Sequence, residues 1–164
     1  MIRIVPYDPG RPDHRAAFRE LNLAWIRKHF TVEPADLHQL DDPEGHVLAA
    51  GGQILMAELA DEEPRGAGTI VGTCALVAEP GGVFELAKMA VDESARGRGI
   101  GRRLAEAAIA EARARGAAMI ELVSNHSLAP ALALYRALGF VEVPMLPSEY
   151  ARADIRMVLE LRRR

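Results

Sequence analysis

The amino-acid sequence predicts a single α/β domain, residues 1–164, with a mixed central sheet of six to seven strands and about four flanking helices. Its first half contains short alternating apolar runs, which are typical of antiparallel strands. After Val91 the pattern changes to strand, helix, strand and helix, an order typical of a mixed α/β fold. Of the 164 residues 49% are apolar, which is enough for one compact core.

The N-terminal segment predicts one strand and two helices. Residues 2–5 have the composition of a short opening strand. A helix is predicted to begin at Pro12, and its apolar positions recur at helical spacing: Phe18, Leu21, Trp25 and Ile26. The mixed, acidic stretch 31–44 predicts a second short helix, followed by a turn at Asp42-Pro43.

The middle of the chain predicts strands separated by glycine-rich turns. Segments 47–50 and 53–59 flank Gly51-Gly52 and predict two strands joined by a hairpin or a bulge. Residues 61–68 predict a polar turn. Two longer strands follow, with a Pro-Gly-Gly turn between them: 69–77 and 83–91.

The C-terminal part alternates helices with strands. One helical stripe runs from Ile100 to Glu111 and ends at Gly116, since glycine terminates helices readily. A second stripe runs from Leu128 to Leu138 and ends at Gly139. Short strands are predicted between and after these helices: 119–123, 140–143 and 155–161. The basic tail 162–164 is expected to fray.

Charge and composition exclude several classes of function. The net charge of −3 and the pI of about 6.0 argue against a dedicated nucleic-acid binder. No apolar run approaches the roughly 20 residues of a membrane span. We expect no signal peptide at residues 1–5, because the turn Asp8-Pro9-Gly10 follows almost at once. Cys74 is the one cysteine, and the five histidines are scattered, so no metal site is predicted. We therefore expect a reducing, cytoplasmic setting.

The segment Arg96–Gly101 carries the clearest chemical signal. It follows the strand 83–91 and opens a helix, and helix N-termini present free N–H groups and partial positive charge. Its glycines let the backbone approach an anion closely. The surrounding cations are all arginines: Arg96, Arg98, Arg102 and Arg103. The loop predicts a phosphate-bearing ligand, and the alternative is a glycine-rich turn that only caps the helix.

Two signatures in the second half resemble those of the GNAT N-acetyltransferases. Arg96-x-x-Gly99-x-Gly101 resembles the Gln/Arg-x-x-Gly-x-Gly/Ala signature of that family. The second signature, an Asn followed by Ala-x-x-Leu-Tyr-x-x-x-Gly-Phe, is matched by these residues: Asn125, Ala131, Leu134, Tyr135, Gly139 and Phe140. The resemblance runs from Glu85 to Phe140 and continues through Tyr150 and Met157, as in bacterial members.

The resemblance implies a GNAT fold whose sheet is splayed between its fourth and fifth strands. Residues 1–80 would form the acceptor side, and residues 81–164 would bind acetyl-CoA as co-substrate. The pantetheine would lie like an extra strand in the splay, and the pyrophosphate would rest on the loop. The cofactor-binding residues implied are Met89, Ala90, Val91, Arg96, Gly97, Arg98, Gly99, Ile100, Gly101, Arg102, Asn125, Ala131, Tyr135 and Arg136. For Arg136 the alternative is a solvated helix charge.

The catalytic residues implied by the resemblance are Tyr135 and Glu85. Tyr135 stands where many members place a general acid for the departing thiolate, and its alternative is a core position. Glu85 lies near the base of histone-acetylating members, and its alternatives are the solvent face or an ion pair. Glu33 and a water chain remain as other candidates for the base. Trp25 and Glu33 are also candidates for substrate contact, because the acidic stretch would suit a cationic amine.

The implied reaction is acetyl transfer to a primary amine of a small molecule or protein, by direct attack in a ternary complex. Transfer of another acyl group and acetyl-CoA sensing without turnover are the alternatives. A pure sensor would need neither Tyr135 nor Glu85. No metal, nucleic acid or membrane is expected to take part. A homodimer is possible, since dimers are common in the family.

Overall fold

A computed structural model describes residues 1–60 and 68–161. The sheet consists of seven strands: β1 (Ile2–Pro6), β2 (Gln53–Leu59), β3 (Thr69–Glu79), β4 (Val83–Val91), β5 (Met119–Ser124), β6 (Val141–Val143) and β7 (Ile155–Glu160). The α-helices are α1 (Pro12–His29), α2 (Pro34–Asp41), α3 (Ile100–Ala114) and α4 (Ala129–Ala137). The predicted turn at 61–68, except for Gly68, and the predicted frayed tail at 162–164 lie outside the described residues.

The strands form one mixed sheet in the order β1-β2-β3-β4-β5-β7-β6. All neighbours are antiparallel except β4 and β5, which are parallel and connected through α3. A parallel pair needs such a crossover, because its strands enter the sheet from the same end. The predicted mixed α/β fold is therefore confirmed.

Each face of the sheet has its own apolar core. On one face, α3 contributes Ile100 and Leu104, which pack against buried strand residues such as Ile120. On the other face, α1 contributes Phe18 and Ile26, which pack in a second buried cluster. Among the helices of residues 1–60 and 68–161, none combines the length and apolar content that a bilayer span requires.

The fourth and fifth strands diverge after a short paired segment. Their register contains only Val83–Met119, Phe84–Ile120 and Glu85–Glu121. Residues 86–91 of β4 continue beyond this point without a partner in β5. The predicted splay is thus confirmed, and Glu85 stands at its apex.

The predicted strand at 47–50 is wrong. Residues Glu44–Leu48 form one π-helical turn instead, with Val47 fully buried in the second core. Both edges of β2 are already occupied, by β1 and β3, so no free edge remains for a hairpin partner. The Gly51-Gly52 segment closes this turn, because the N–H of Gly52 donates to the carbonyl of Val47 at 2.8 Å.

Candidate functional site

The splay between β4 and β5 opens into a cavity of about 830 Å³. Its walls come from β4, the loop before α3, the first turn of α3, the end of β5, α4 and one side of α1. Polar main-chain and charged groups line one end, and aromatic side chains line the other. The cavity therefore joins the predicted cofactor region to the predicted acceptor region.

The β4 wall carries a bulge at Lys88. Thr73 of β3 pairs with Ala90, whereas Ala75 pairs with Ala87, so two β4 residues face one β3 residue. Lys88 adopts a φ of 52°, which is uncommon for a residue with a side chain. The bulge interrupts the ladder to β3, and β5 is absent on the other side. Main-chain polar groups in this part of β4 are therefore available to an extended ligand with amides of its own.

The glycine-rich loop places a helix N-terminus at the mouth of the cavity. Gly97 and Gly99 have φ values of 79° and 71°, a conformation that glycine adopts without strain. Gly99 is the residue before α3 and offers no capping side chain, so the first N–H groups of that helix remain open. Within residues 1–60 and 68–161, Arg96 and Arg98 form no ion pair. This arrangement suits a phosphate.

The two helical arginines are engaged elsewhere. Arg102 donates to Glu106 at 2.7 Å, one turn along α3. Arg103 donates to the carbonyl of Ile2 at 2.7 Å and so ties α3 to the edge of the sheet. Arg102 still lines the cavity, whereas Arg98 does not.

The wall opposite β4 contains Asn125, Ala131 and Tyr135. The Asn125 amide donates to the carbonyl of Arg152 at 2.8 Å, and its oxygen accepts the N–H of Ser127 at 2.8 Å. Asn125 therefore fixes the loop between β5 and α4 against the segment before β7. Arg136 points away from this wall and is exposed on α4.

The Tyr135 ring packs on Phe140, with their centroids 5.9 Å apart. Burial raises the pKa of its phenol to about 12. The phenol therefore stays protonated at neutral pH and is able to donate a hydrogen bond or a proton. Tyr135 lines the cavity wall, as its predicted role of general acid requires.

A buried charge network lies at the aromatic end of the cavity, which is the end predicted to hold the acceptor. Asp36 of α2 is fully buried; it accepts from Lys88 at 2.9 Å and from Arg152 at 2.6 and 2.9 Å. Lys88 also donates to the Tyr150 hydroxyl at 2.9 Å. Burial by itself would raise the pKa of Asp36, but hydrogen bonds from Arg152, the Glu33 N–H and Lys88 lower it to about 2. Sequence analysis missed this network.

Aromatic rings surround the same end. Trp25 lies 6.0 Å from Phe30 between ring centroids, and both line the cavity. The Arg152 guanidinium stands 4.7 Å from the centre of the Tyr150 ring. Glu33, by contrast, lies outside the lining of the main cavity, where it accepts from Arg152 at 3.0 Å and from the Ala151 N–H at 2.8 Å.

Three carboxylates meet where the splay begins. One oxygen each from Glu79, Glu85 and Glu121 lies within 4.8 Å of the others. Burial raises the pKa of Glu79 to about 8 and also raises the pKa of Glu85. The pKa of Glu121 is lowered, first by a hydrogen bond with Glu79 and then by Arg156, which donates at 2.7 Å. Sequence analysis singled out only Glu85, because the three residues lie on three different strands.

Comparison with known proteins agrees with this architecture. The sequence profile described as "Acetyltransferase (GNAT) family" matches residues 15–140. A protein named IAA acetyltransferase from Azospirillum brasilense is 42% identical over 79 residues, which cover 48% of this chain and 52% of that protein. The match therefore spans about half of each sequence.

Solved structures share the fold over nearly the whole chain. A GNAT-family acetyltransferase from Staphylococcus aureus superposes with a TM-score of 0.85 at 22% identity, covering 99% of this chain and 100% of that one. An aminoglycoside 6'-N-acetyltransferase complexed with coenzyme A superposes with a TM-score of 0.72 at 17% identity, covering 99% and 98%. At these identities the likeness establishes the fold alone.

Proposed function

The chain belongs to the GNAT family of acetyltransferases, and we propose that it transfers acetyl from acetyl-CoA to a primary amine of a small molecule or protein. The observation that carries the proposal is the free edge of β4 between Glu85 and Val91, which leads directly to the glycine-rich loop. One ligand with amides at one end and phosphates at the other would match both features. Pantetheine joined to a pyrophosphate has this composition.

In this proposal, the main chain of Met89, Ala90 and Val91 binds the pantetheine arm and the acetyl carbonyl. The N–H groups from Gly97 to Arg102 hold the pyrophosphate, and Arg96 adds a cation at the cavity mouth. Ala131 leaves room for the arm on the opposite wall. Asn125 acts by fixing the loop around it, through the two hydrogen bonds described above.

The chemical step is direct attack in a ternary complex. The neutral amine nitrogen forms a bond to the thioester carbonyl carbon, and the bond from that carbon to sulfur breaks. After the attack the nitrogen carries a positive charge and gives a proton to Glu85, while the Tyr135 phenol gives its proton to the departing thiolate. Glu85 then releases its proton to solvent, and Tyr135 regains one from solvent. Both residues line the same cavity. Another acyl-CoA donor would follow the same steps.

The acceptor is held at the aromatic end of the cavity, beside Trp25. The acidic stretch 31–44 does not offer free negative charge there, because Asp36 and Glu33 are paired with Lys88 and Arg152. Selection of the amine therefore depends on the rings and on Glu85 more than on acidic attraction. The acceptor side then includes Tyr150 and Arg152 besides residues 1–80. The buried, unpaired Cys74 fits a reducing, cytoplasmic setting.

Gly99→Glu tests the donor site. Its side chain would place negative charge at the open helix N-terminus, so we expect CoA affinity to fall at least 100-fold by calorimetry. Gly116→Glu is the matched control, because Gly116 has nearly the same φ (72°), equally open surroundings and a place at the other end of α3. Unchanged CoA affinity in Gly99→Glu would refute the loop as the donor site. Tight CoA binding without thiol release across an amine panel would favour a sensor.

A further inference from the structure

The three carboxylates at the apex of the splay are held together by the sheet itself. Glu85 and Glu121 are register partners across the parallel β4–β5 pair. Glu79 comes from β3, whose end pairs with the start of β4. Strand pairing therefore keeps the three main-chain positions together, and each side chain is partly buried. Only Glu85 of the three lines the cavity.

The charges around the cluster do not balance if all three groups are ionised. Among residues 1–60 and 68–161, Arg156 of β7 is the cation bonded to the cluster, and its contact is to Glu121. Lys88 of β4 acts on Glu85 from a greater distance and is committed to Asp36, while Glu149 adds further negative charge. Like charges this close disfavour joint ionisation, so one carboxyl retains a proton.

The position of that proton follows from the partners of each group. Glu121 has the guanidinium of Arg156 and is the best stabilised anion. Glu85 has the attraction of Lys88. Glu79 has no cation within 4.0 Å among the described residues, and its neighbours on both sides are carboxylates able to accept its hydrogen bond. Glu79 is therefore the group that stays protonated.

We propose that Glu79, Glu85 and Glu121 share one proton at neutral pH, and that Glu79 is the positioning residue that holds it and keeps Glu85 ionised toward the cavity. Protonated Glu79 has one O–H, and when it donates to Glu85 it lowers the pKa of Glu85. The role of Glu79 in turnover rests on the proposed function, in which Glu85 receives the proton of the amine. The sharing of one proton among the three carboxylates does not depend on the proposed function.

The first experiment follows the carboxyl groups directly. Protein with ¹³C-carboxyl-labelled glutamate, free of CoA and in the presence of a chelator, is titrated by NMR. We expect one glutamate with a pKa near 8 in the wild type. That titration should disappear in Glu79→Gln and persist in Glu160→Gln, which removes an exposed glutamate from β7 of the same sheet. Its absence from the wild type, or its persistence in Glu79→Gln, would overturn the shared proton.

The second experiment separates positioning from mere structure through the pH profile of kcat/KM. Glu79→Gln keeps a hydrogen-bond donor beside Glu85, so the acidic limb should stay where it is in the wild type. Glu79→Leu removes the donor, and the acidic limb should move up by about one pH unit. An unmoved limb in Glu79→Leu would overturn the positioning role. If the wild type transferred no acyl group at all, the proposed function would fail, and the NMR titration would still decide the shared proton.

Discussion

At the scale of single residues, the cavity pairs a phenol that resists ionisation with a carboxylate that has become more basic. Burial raises the pKa of Tyr135 to about 12 and also raises the pKa of Glu85. The shift at Glu85 has the direction that acyl transfer to an amine requires, because a base must hold the proton it receives. The shift at Tyr135 keeps the phenol protonated at neutral pH but makes it a weaker acid. The presence of both residues in one cavity supports the proposed acyl transfer more strongly than either residue would alone.

Replacing Tyr135 by Phe removes the proposed proton donor and leaves the ring packed against Phe140. We expect kcat to fall about 100-fold, within the usual range for loss of a general acid, while CoA affinity stays the same. Thiol release under steady-state conditions measures the first quantity, and calorimetry measures the second. Tyr7→Phe is the control, since its hydroxyl bonds Glu44 away from the cavity lining. Full activity in Tyr135→Phe would remove the residue from the mechanism.

At the scale of secondary-structure elements, irregular features position the site. The bulge at Lys88 interrupts the ladder between β4 and β3 and turns a basic side chain toward α2. The π-helical turn Glu44–Leu48 brings the chain into β2 by way of Gly52. Alternation of apolar residues does not reveal either feature, because Val47 and its neighbours have the composition of a strand. Residues 47–50 cannot pair with β2, because β1 and β3 occupy both of its edges. Strand pairing of this kind is established only when the sheet assembles.

The turn before β2 has no room for a side chain at Gly52. An added Cβ would lie 2.3 Å from the Leu76 carbonyl oxygen and 2.8 Å from that of Val47, and both are main-chain atoms. We therefore expect Gly52→Ala to lower the free energy of unfolding by about 1–3 kcal/mol, as overpacking does. Gly45→Ala is the comparison, since the nearest atoms to its Cβ belong to the exposed Asp42 carboxylate, a side-chain end that can rotate at the cost of its hydrogen bond from the Gly45 N–H. Equal stability of the two variants in urea unfolding would contradict this explanation.

At the scale of the whole molecule, the buried Asp36 network joins parts of the chain that are far apart in sequence. Asp36 lies on α2, Lys88 on β4, and Arg152 in the segment before β7. The folded-state pKa of Asp36 is about 2, below its usual 3.8. Its stabilising contribution is therefore fully present above pH 3.8 and is lost as the pH falls toward 2.

Asp36→Asn should destabilise the fold by about 3–5 kcal/mol at neutral pH, because Lys88 would remain buried without its counter-ion and Arg152 would keep only Glu33. The difference from the wild type should shrink as the pH falls from 4 to 2, since Asp36 then becomes neutral in both states. Thermal unfolding followed across this pH range measures both effects. Asp41→Asn, which breaks an exposed ion pair with Arg19, should change stability by at most about 1 kcal/mol. Equal losses of stability in the two variants would show that the buried network stabilises the fold no more than the exposed ion pair does.

The sequence by itself determined the mixed α/β order, the ends of the helices and the loop Arg96–Gly101, because each depends on neighbouring residues. A glycine with positive φ before a helix is a local property, and Gly99 has the conformation that its pattern predicts. The surroundings of Glu85 and of Asp36 depend on the tertiary structure. Strand register brings Glu79 and Glu121 to Glu85, Arg156 binds Glu121, and the bulge at Lys88 aims its ammonium at Asp36. Register and bulges follow from the pairing of distant strands, so no local pattern encodes them.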